Sequence, residues 1–115
     1  MFFFIDSPGT PEISGYTDGE ILVSGEEISL TCKAKSGNPR SFITWNRENN
    51  VSYDTSSSIQ ESGYVVSVLN ISLSREEDGA LIECNVANDL TELPFSANVS
   101  LRVSCKCYII LCCII

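Results

Sequence analysis

The chain contains no histidine, and this absence excludes several kinds of active site. Histidine is the usual general base near neutral pH and the commonest metal ligand in proteins. A catalytic triad that depends on histidine therefore cannot form within this chain. No nucleophile stands in a pattern with a Lys or carboxylate base either. The sequence thus predicts a protein that is not an enzyme, takes no small-molecule substrate, and holds neither a metal ion nor a cofactor.

Basic residues are scarce relative to acidic ones, which bears on the class of partner. Seven Lys and Arg stand against 15 Asp and Glu, giving a formal net charge of −8 at pH 7. Binding to a phosphate backbone needs clustered basic residues, and here they are scattered, so nucleic acid is excluded as a partner. The acidic run Glu76-Glu77-Asp78 lacks the ligand spacing of a calcium loop, and we expect it to form a solvated turn.

The chain also lacks an apolar run long enough to cross a membrane, which takes about 20 residues. Met1–Ile5 has no basic region before it and is interrupted by Asp6, so it does not resemble a signal peptide. Tyr108–Ile115 is apolar but short, and is either a truncated membrane segment or a gene-model artefact. We expect residues 1–10 to be an irregular lead from a longer precursor, residues 11–103 to form one domain, and residues 104–115 to be a Cys-rich tail.

What the chain does contain is regular alternation of apolar and polar residues, broken by turn signals. Glu27–Ala34 is the clearest case, and the spacing of about 8–12 residues between turns is typical of an all-β sandwich. The polar stretch Arg47–Gly63 has room for at most one or two short strands, and one last strand is expected over residues 98–103. The residues expected to face the core are Ile28, Leu30, Cys32, Ala34, Ile43, Trp45, Leu69, Ile71, Leu73, Ala80, Ile82, Cys84, Val86, Val99, Leu101 and Val103.

Six cysteines fall into two groups. Cys32 and Cys84 both point inward in this alternation, with Trp45 between them in sequence. A disulfide between them is expected, with two free buried thiols as the alternative, and a bridge of this span stabilises by about 4 kcal/mol in the chain-entropy model. The remaining cysteines belong to the tail and are Cys105, Cys107, Cys112 and Cys113.

Three N-glycosylation sequons begin at Asn50, Asn70 and Asn98, and none has proline in its middle position. Asn70 and Asn98 point outward in their expected strands, where a glycan can be accommodated. Sequons together with a disulfide indicate a secretory route, since disulfides persist in oxidising compartments.

The pattern resembles an immunoglobulin domain of the C2 or I type over nearly the whole stretch from Pro11 to Val103. The resemblance implies an antiparallel sandwich of two sheets with one inter-sheet disulfide. One position departs from the family: Ile82 stands where a tyrosine usually forms a corner hydrogen bond, so that bond is expected to be missing. The residues that carry the likeness are Cys32, Trp45, Leu69, Asp78-Gly79-Ala80 and Cys84.

A narrower likeness is to the internal domains of nephrin-type adhesion receptors. In such receptors, a row of immunoglobulin domains projects from a single-pass anchor and binds related receptors on a neighbouring cell. The likeness implies a place outside the plasma membrane, with neighbouring immunoglobulin domains and other cell-surface immunoglobulin-type proteins as partners, and contact with the membrane only through the parent's anchor. The segments that carry it are Pro11–Tyr16, Gly19-Glu20, Leu30–Cys32, Ser36–Pro39 and Ile43–Trp45.

Two modes of action fit that resemblance, and one alternative lies outside it. The domain either binds a ligand directly through aromatic and Arg anchors or acts as a glycan-stiffened spacer between its neighbours. The alternative is a soluble, secreted binding protein of immunity or signalling. Exposed candidates for binding are Phe42, Arg47, Tyr53 and Tyr64, with the competing interpretation that Phe42 and Tyr64 fill the edges of the core.

Overall fold

A computed structural model describes residues 7–47, 51–52, 58–90 and 93–104, with residues 51 and 52 described by their backbone alone. This part of the chain is built of β-strands with one turn of 3-10 helix at Arg75–Glu77. The strands in chain order are β1 Glu12–Ser14, β2 Ile21–Val23, β3 Glu27–Lys35, β4 Phe42–Arg47, β5 Val51–Ser52, β6 Ile59–Glu61, β7 Tyr64–Ser72, β8 Leu81–Ala87, β9 Phe95–Ser100 and β10 Arg102–Ser104.

The strands form two antiparallel sheets that face each other. The first sheet has the order β1-β3-β7-β6, and the second has the order β5-β4-β8-β9. A short parallel pair, β2 with β10, completes the described strands. The predicted fold class, an all-β sandwich of two antiparallel sheets, is confirmed.

The inner faces of both sheets carry the residues that the alternation assigned to the core. Leu30, Ile82 and Leu101 have no exposed surface, and Leu69 is 4% exposed. The inward face of β7 also extends further than expected, because Val65 is fully buried. Burial of such side chains stabilises by about 1.5–3 kcal/mol each, so the facing sheets supply most of the driving force for folding.

The disulfide between Cys32 and Cys84 joins the two sheets near their middle, with 6.5 Å between the two Cα atoms. It links β3 of the first sheet to β8 of the second. Trp45 lies directly opposite Cys84 across β4 and β8, and it is 1% exposed. Its indole Nε1 donates a 3.0 Å hydrogen bond to Oγ of Ser67, which lies opposite Cys32. The bridge and the tryptophan therefore tie all four central strands together.

The chain changes sheets between β1 and β2, at Gly15. Gly15 has φ +103, and a Cβ placed there would lie 2.2 Å from the carbonyl oxygen of Ser29, so only glycine fits. The next residue, Tyr16, is buried, and its hydroxyl donates to the carbonyl of Glu20 at 2.7 Å and accepts from the amide of Arg102 at 3.2 Å. A phenol thus fastens the start of β10 to the segment ahead of β2.

The corner between β7 and β8 is held by carboxylates instead of a phenol. Glu77 accepts from the amide of Ser74 at 3.0 Å, while the Ser74 hydroxyl accepts from the amide of Glu76, an arrangement that satisfies the free donors of the turn. Asp78 accepts from the amide of Val103 at 2.9 Å. Ile82, in the position of the absent tyrosine, is fully buried. The carboxylates of Glu77 and Asp78 therefore hold the backbone in place at this corner.

The expectation of one strand over residues 98–103 was wrong in its bounds. The strand begins earlier, at Phe95, and is interrupted at Leu101. The amide of Leu101 donates to the carbonyl of Ala80, and β10 then pairs with β2 instead of β8. The alternation of Val99, Leu101 and Val103 survives the interruption, which is why the sequence pattern hides it.

The chain enters and leaves the sandwich at opposite ends. The amide of Gly9 donates to the carbonyl of Lys35 at one end of β3, which we call the leading end. The amide of Ser24, just before the other end of β3, donates to the carbonyl of Ser104, and we call this the trailing end. At about 3.4 Å per residue, the length of β3 separates the two ends by about 27 Å.

Candidate interaction surface

The residues proposed as binding anchors are spread over the molecule. Phe42 is 47% exposed on the second sheet, and Tyr64 is 43% exposed on the first, so neither fills the core edge. Arg47 is half-buried, and its guanidinium donates to the carbonyl of Glu76 at 2.6 Å, which gives it a structural contact at the trailing end. Tyr53 lies outside the described residues. The fold does not bring these candidates together.

A different group forms on the outer face of the first sheet, and we call it the apolar patch. Ile59 is 64% exposed, and Val68 is as exposed as Tyr64. The strand register places Ile59 beside Val66, and Val66 lies between Tyr64 and Val68 on β7. The patch therefore consists of Ile59, Tyr64, Val66 and Val68. The alternation within Tyr64–Val68 is the sequence signal for this patch. Only Tyr64 was predicted, because apolar residues such as Val66 and Val68 on the outward face of a strand cannot be distinguished by residue type from those that face the core.

A lysine covers part of the patch. The ammonium group of Lys33 lies 4.7 Å from the ring centroid of Tyr64, a favourable placement of a cation on an aromatic face. Beside it, a shallow depression of about 450 Å³ runs towards the leading end. Its walls are Gly9, Thr10, Glu12, Lys33, Ala34, Lys35 and Tyr64. Charges of both signs thus surround the aromatic end of the patch.

The two sequons within the described residues lie on opposite sheets. Asn70 is exposed on the first sheet, two residues beyond Val68, and its side-chain oxygen accepts from the hydroxyl of Ser29 at 2.5 Å. Asn98 is exposed on β9, opposite Glu83. Asn50 falls outside the described residues. The occupancy of all three remains a prediction.

The two ends of the sandwich differ in polarity. At the leading end, Phe42, Leu90, Leu93 and Phe95 are exposed, and Leu93 reaches 79%. The trailing end instead gathers carboxylates, which are Glu26, Glu27, Glu76, Glu77 and Asp78. The part of the chain that the structure describes holds no group of three side chains able to share a metal ion. Two of these carboxylates, those of Glu77 and Asp78, accept from backbone amides of the corner.

A comparison with known families identifies the fold. The family model described as "Immunoglobulin domain" matches residues 10–88. The chain belongs to the immunoglobulin domain family. Its inter-sheet disulfide, with Trp45 packed beside it, occupies the position that the family's core requires.

This immunoglobulin domain is similar in sequence to parts of an adhesion molecule and of a receptor. It is 32% identical over 99 residues to "Cell adhesion molecule DSCAM" from Homo sapiens, a match that covers 82% of the chain and 5% of the relative. It is 36% identical over 84 residues to "Vascular endothelial growth factor receptor 2" from Mus musculus, covering 70% of the chain and 6% of the relative. The chain therefore spans only about one twentieth of these relatives.

A solved structure agrees on the fold. The mouse nectin-like molecule 4 ectodomain superposes with a TM-score of 0.71 at 20% sequence identity, covering 88% of this chain and 35% of that one. The immunoglobulin family and a kinship with cell adhesion molecules are thus shown, whereas the narrower nephrin-type assignment is not confirmed. In the part of the chain for which the structure is described, no helix has the length and apolar character needed to cross a bilayer.

Proposed function

We propose that this immunoglobulin domain is an extracellular module of a cell-surface adhesion receptor, standing in a row of similar domains. The observation that carries the proposal is the placement of Gly9 and Ser104 at opposite ends of β3. A module whose chain enters at one end and leaves at the other extends a row instead of folding back on its neighbour. Kinship with "Cell adhesion molecule DSCAM" supports the adhesion role.

The disulfide and the sequons support an extracellular location for the domain. The Cys32–Cys84 disulfide needs an oxidising environment to form and persist, and exposed sequons at Asn70 and Asn98 suit the secretory pathway. Immunoglobulin domains are typically recognition modules without enzymatic activity. We infer that the domain lies on the outer side of the plasma membrane and reaches the membrane only through its parent's single-pass anchor.

The recognition face that we propose is the aromatic end of the apolar patch. Interfaces draw their affinity from a few aromatic or Arg anchors surrounded by polar groups, and Tyr64 with Lys33 fits that description. Six residue steps along the extended strand, about 20 Å, separate Tyr64 from the sequon at Asn70. A glycan on Asn70 therefore leaves the aromatic end accessible. The partners we propose are other immunoglobulin-type proteins of the cell surface.

A bead-adhesion assay tests this function. The secreted chain is coated densely on beads, and clustering with like beads and capture by cells are measured. We expect binding by the unchanged chain, and a loss of at least tenfold with Tyr64→Ser. The matched control is Phe42→Ser, since Phe42 is equally aromatic and similarly exposed but lies on the other sheet.

Each result of the assay has a distinct meaning. Loss with Phe42→Ser and not with Tyr64→Ser would contradict the proposed face while retaining adhesion. Absence of any bead clustering or cell capture by the unchanged chain would contradict direct recognition, leaving the spacer role for the domain in its row.

A second candidate function is favoured by one specific observation. The 36% identity to "Vascular endothelial growth factor receptor 2" supports a module that binds a soluble signalling protein. The two candidates differ in the source of the ligand. Capture of a protein from conditioned medium, with no binding to intact washed cells, would favour the signalling receptor over the adhesion receptor.

A further inference from the structure

The outer side of β9 is an open sheet edge. β9 is the last strand of the second sheet; β1 of the first sheet lies near it, but in the described chain β9 pairs only with β8. It runs for six residues, Phe95–Ser100, all of them exposed or half-buried. An edge of this kind presents unpaired amide and carbonyl groups, and a strand from another molecule can add to it.

The other strands that end the two sheets, β1, β6 and β5, are protected in ways that β9 is not. β1 and β6 are three residues long, and each carries an exposed carboxylate, Glu12 on β1 and Glu61 on β6. β5 is only two residues long. Short length and charge are the usual devices against edge-to-edge association. β9 is at least twice as long as these strands and contains no charged residue.

The sequon at Asn98 lies in the middle of this unprotected strand. Its asparagine is exposed, and its partner across the sheet is Glu83, so its outward side chain stands on the outer face of the second sheet. We propose that Asn98 carries an N-linked glycan whose role is to block the β9 edge against pairing with a second copy of the chain.

The geometry of such pairing explains why a glycan at this position is effective. Two copies of β9 that join edge to edge around a two-fold axis run antiparallel, and the centre of the strand meets its own counterpart. In the register centred on Asn98, the two Asn98 residues face each other with their Cα atoms about 5 Å apart. Two glycans cannot start from points so close on one face. The uncharged sequence Phe95–Ser100 itself offers no repulsion against that approach.

This inference rests on the proposed function in one respect, since a glycan is added only in the secretory pathway. The test uses the full chain exported from mammalian cells behind a heterologous leader. Peptide mass spectrometry reports the occupancy of Asn98, and light scattering reports the mass in solution. We expect an occupied Asn98 and a monomer.

Loss of the glycan should then produce a dimer. Asn98→Gln and Ser100→Ala remove the sequon in two independent ways, and we expect each to double the mass at high concentration. Hydrogen exchange should slow at the amides of residues 95–100 in the dimer. Substitution is preferable to enzymatic removal, because the amidase that cuts the glycan converts asparagine to aspartate and so introduces a charge at the edge.

Two further variants control for the site and for the mechanism. Asn70→Gln removes a glycan from the other sheet and leaves β9 unchanged, and the protein should stay monomeric. Asn98→Lys also lacks the glycan but places a charge on the edge, and it too should stay monomeric. Non-reducing electrophoresis checks that a dimer is not linked through a disulfide.

Three results would overturn the inference. These are a bare Asn98 in the exported chain, monomeric behaviour of both Asn98→Gln and Ser100→Ala at their highest soluble concentration, or a dimer in which the amides of residues 95–100 exchange as fast as in the monomer. A bare Asn98 in a chain that still clusters beads would leave the proposed adhesion function intact. Failure of adhesion by a chain with an occupied Asn98 would contradict the proposed adhesion function and leave the inference about Asn98 intact.

Discussion

The leading and trailing ends of the sandwich differ in what they leave exposed. At both ends, polar side chains take up backbone groups: Tyr16 bonds to Glu20 and Arg102 at the trailing end, and Ser41 accepts from the amide of Gly37 at the leading end. Large apolar side chains remain exposed at the leading end, whereas the trailing end carries carboxylates.

The difference shows how a module can be stable and still keep surface free for its neighbours. Backbone groups left unpaired in a buried place cost about 1–3 kcal/mol each, so the polar side chains that pair with them contribute to folding at both ends. Exposed leucines and phenylalanines contribute little to folding but remain available for contact with another domain. We expect substitutions to reveal this division, with stability lost at the disulfide and at Tyr16 and retained at the exposed apolar side chains of the leading end.

The largest effect is expected from Cys84→Ala, which removes the bridge shared by both ends. Loss of a native disulfide from a small extracellular domain typically costs about 2–5 kcal/mol. Denaturant unfolding of the exported chain measures the loss, and reduced secretion should accompany it. An unchanged midpoint of unfolding would contradict the stabilising role assigned to the bridge.

Gly15→Ala should follow, at about 1–3 kcal/mol or more, because the new Cβ meets the carbonyl of Ser29 in a backbone conformation that favours glycine. The matched control is Gly19→Ala, since Gly19 also has a positive φ, +87, but nothing lies within 4 Å of its added Cβ. Thermal unfolding of the two variants separates steric clash from backbone strain. Equal losses would show that the close approach at Gly15 has no cost.

Tyr16→Phe should cost about 1 kcal/mol, because it leaves the amide of Arg102 and the carbonyl of Glu20 without their shared partner. Tyr64→Phe is the control, since its ring lies on the open face of the first sheet. Urea unfolding should give a lower midpoint for Tyr16→Phe alone. A similar shift in both variants would contradict the stabilising role assigned to the hydrogen bonds of the Tyr16 hydroxyl.

The smallest effect belongs to the leading end. Leu93→Ser should change the free energy of unfolding by less than about 0.5 kcal/mol, because this side chain is 79% exposed. Calorimetry of the variant beside the unchanged chain makes the comparison. A loss as large as that of Tyr16→Phe would mean that an exposed side chain of the leading end contributes to folding as much as a buried one of the trailing end.

The sequence predicted the centre of the molecule better than its margins, and the reason is physical. Long strands buried on one face repeat every second residue, so Cys32, Trp45 and Leu69 could be placed without coordinates. Strands of three residues, such as β1 and β2, are too short to show a period. The acceptor for the indole of Trp45 was within reach, since Ser67 lies two residues before Leu69 on the same face.

The surface was predicted less well, because exposure depends on which strands become neighbours. Tyr64 was chosen as a candidate, yet its companions Ile59 and Val68 could not be found without the register of β6 and β7. The parallel pairing of β2 with β10 was likewise hidden, since it joins parts of the chain far apart in sequence. The same holds for the open edge of β9, which the described strands leave without a hydrogen-bonded neighbour on one side.

Because the chain enters the sandwich at the leading end and leaves it at the trailing end, the direction in which tension passes through the domain is also fixed. A pull between residues 9 and 104 runs along the strands, so the hydrogen bonds between β2 and β10 are loaded in shear, all at once, instead of opening one after another. The covalent link from Cys32 to Cys84 spans the intervening chain and prevents that segment from lengthening. Under tension, this domain can therefore lengthen only through the segments of chain outside the disulfide loop.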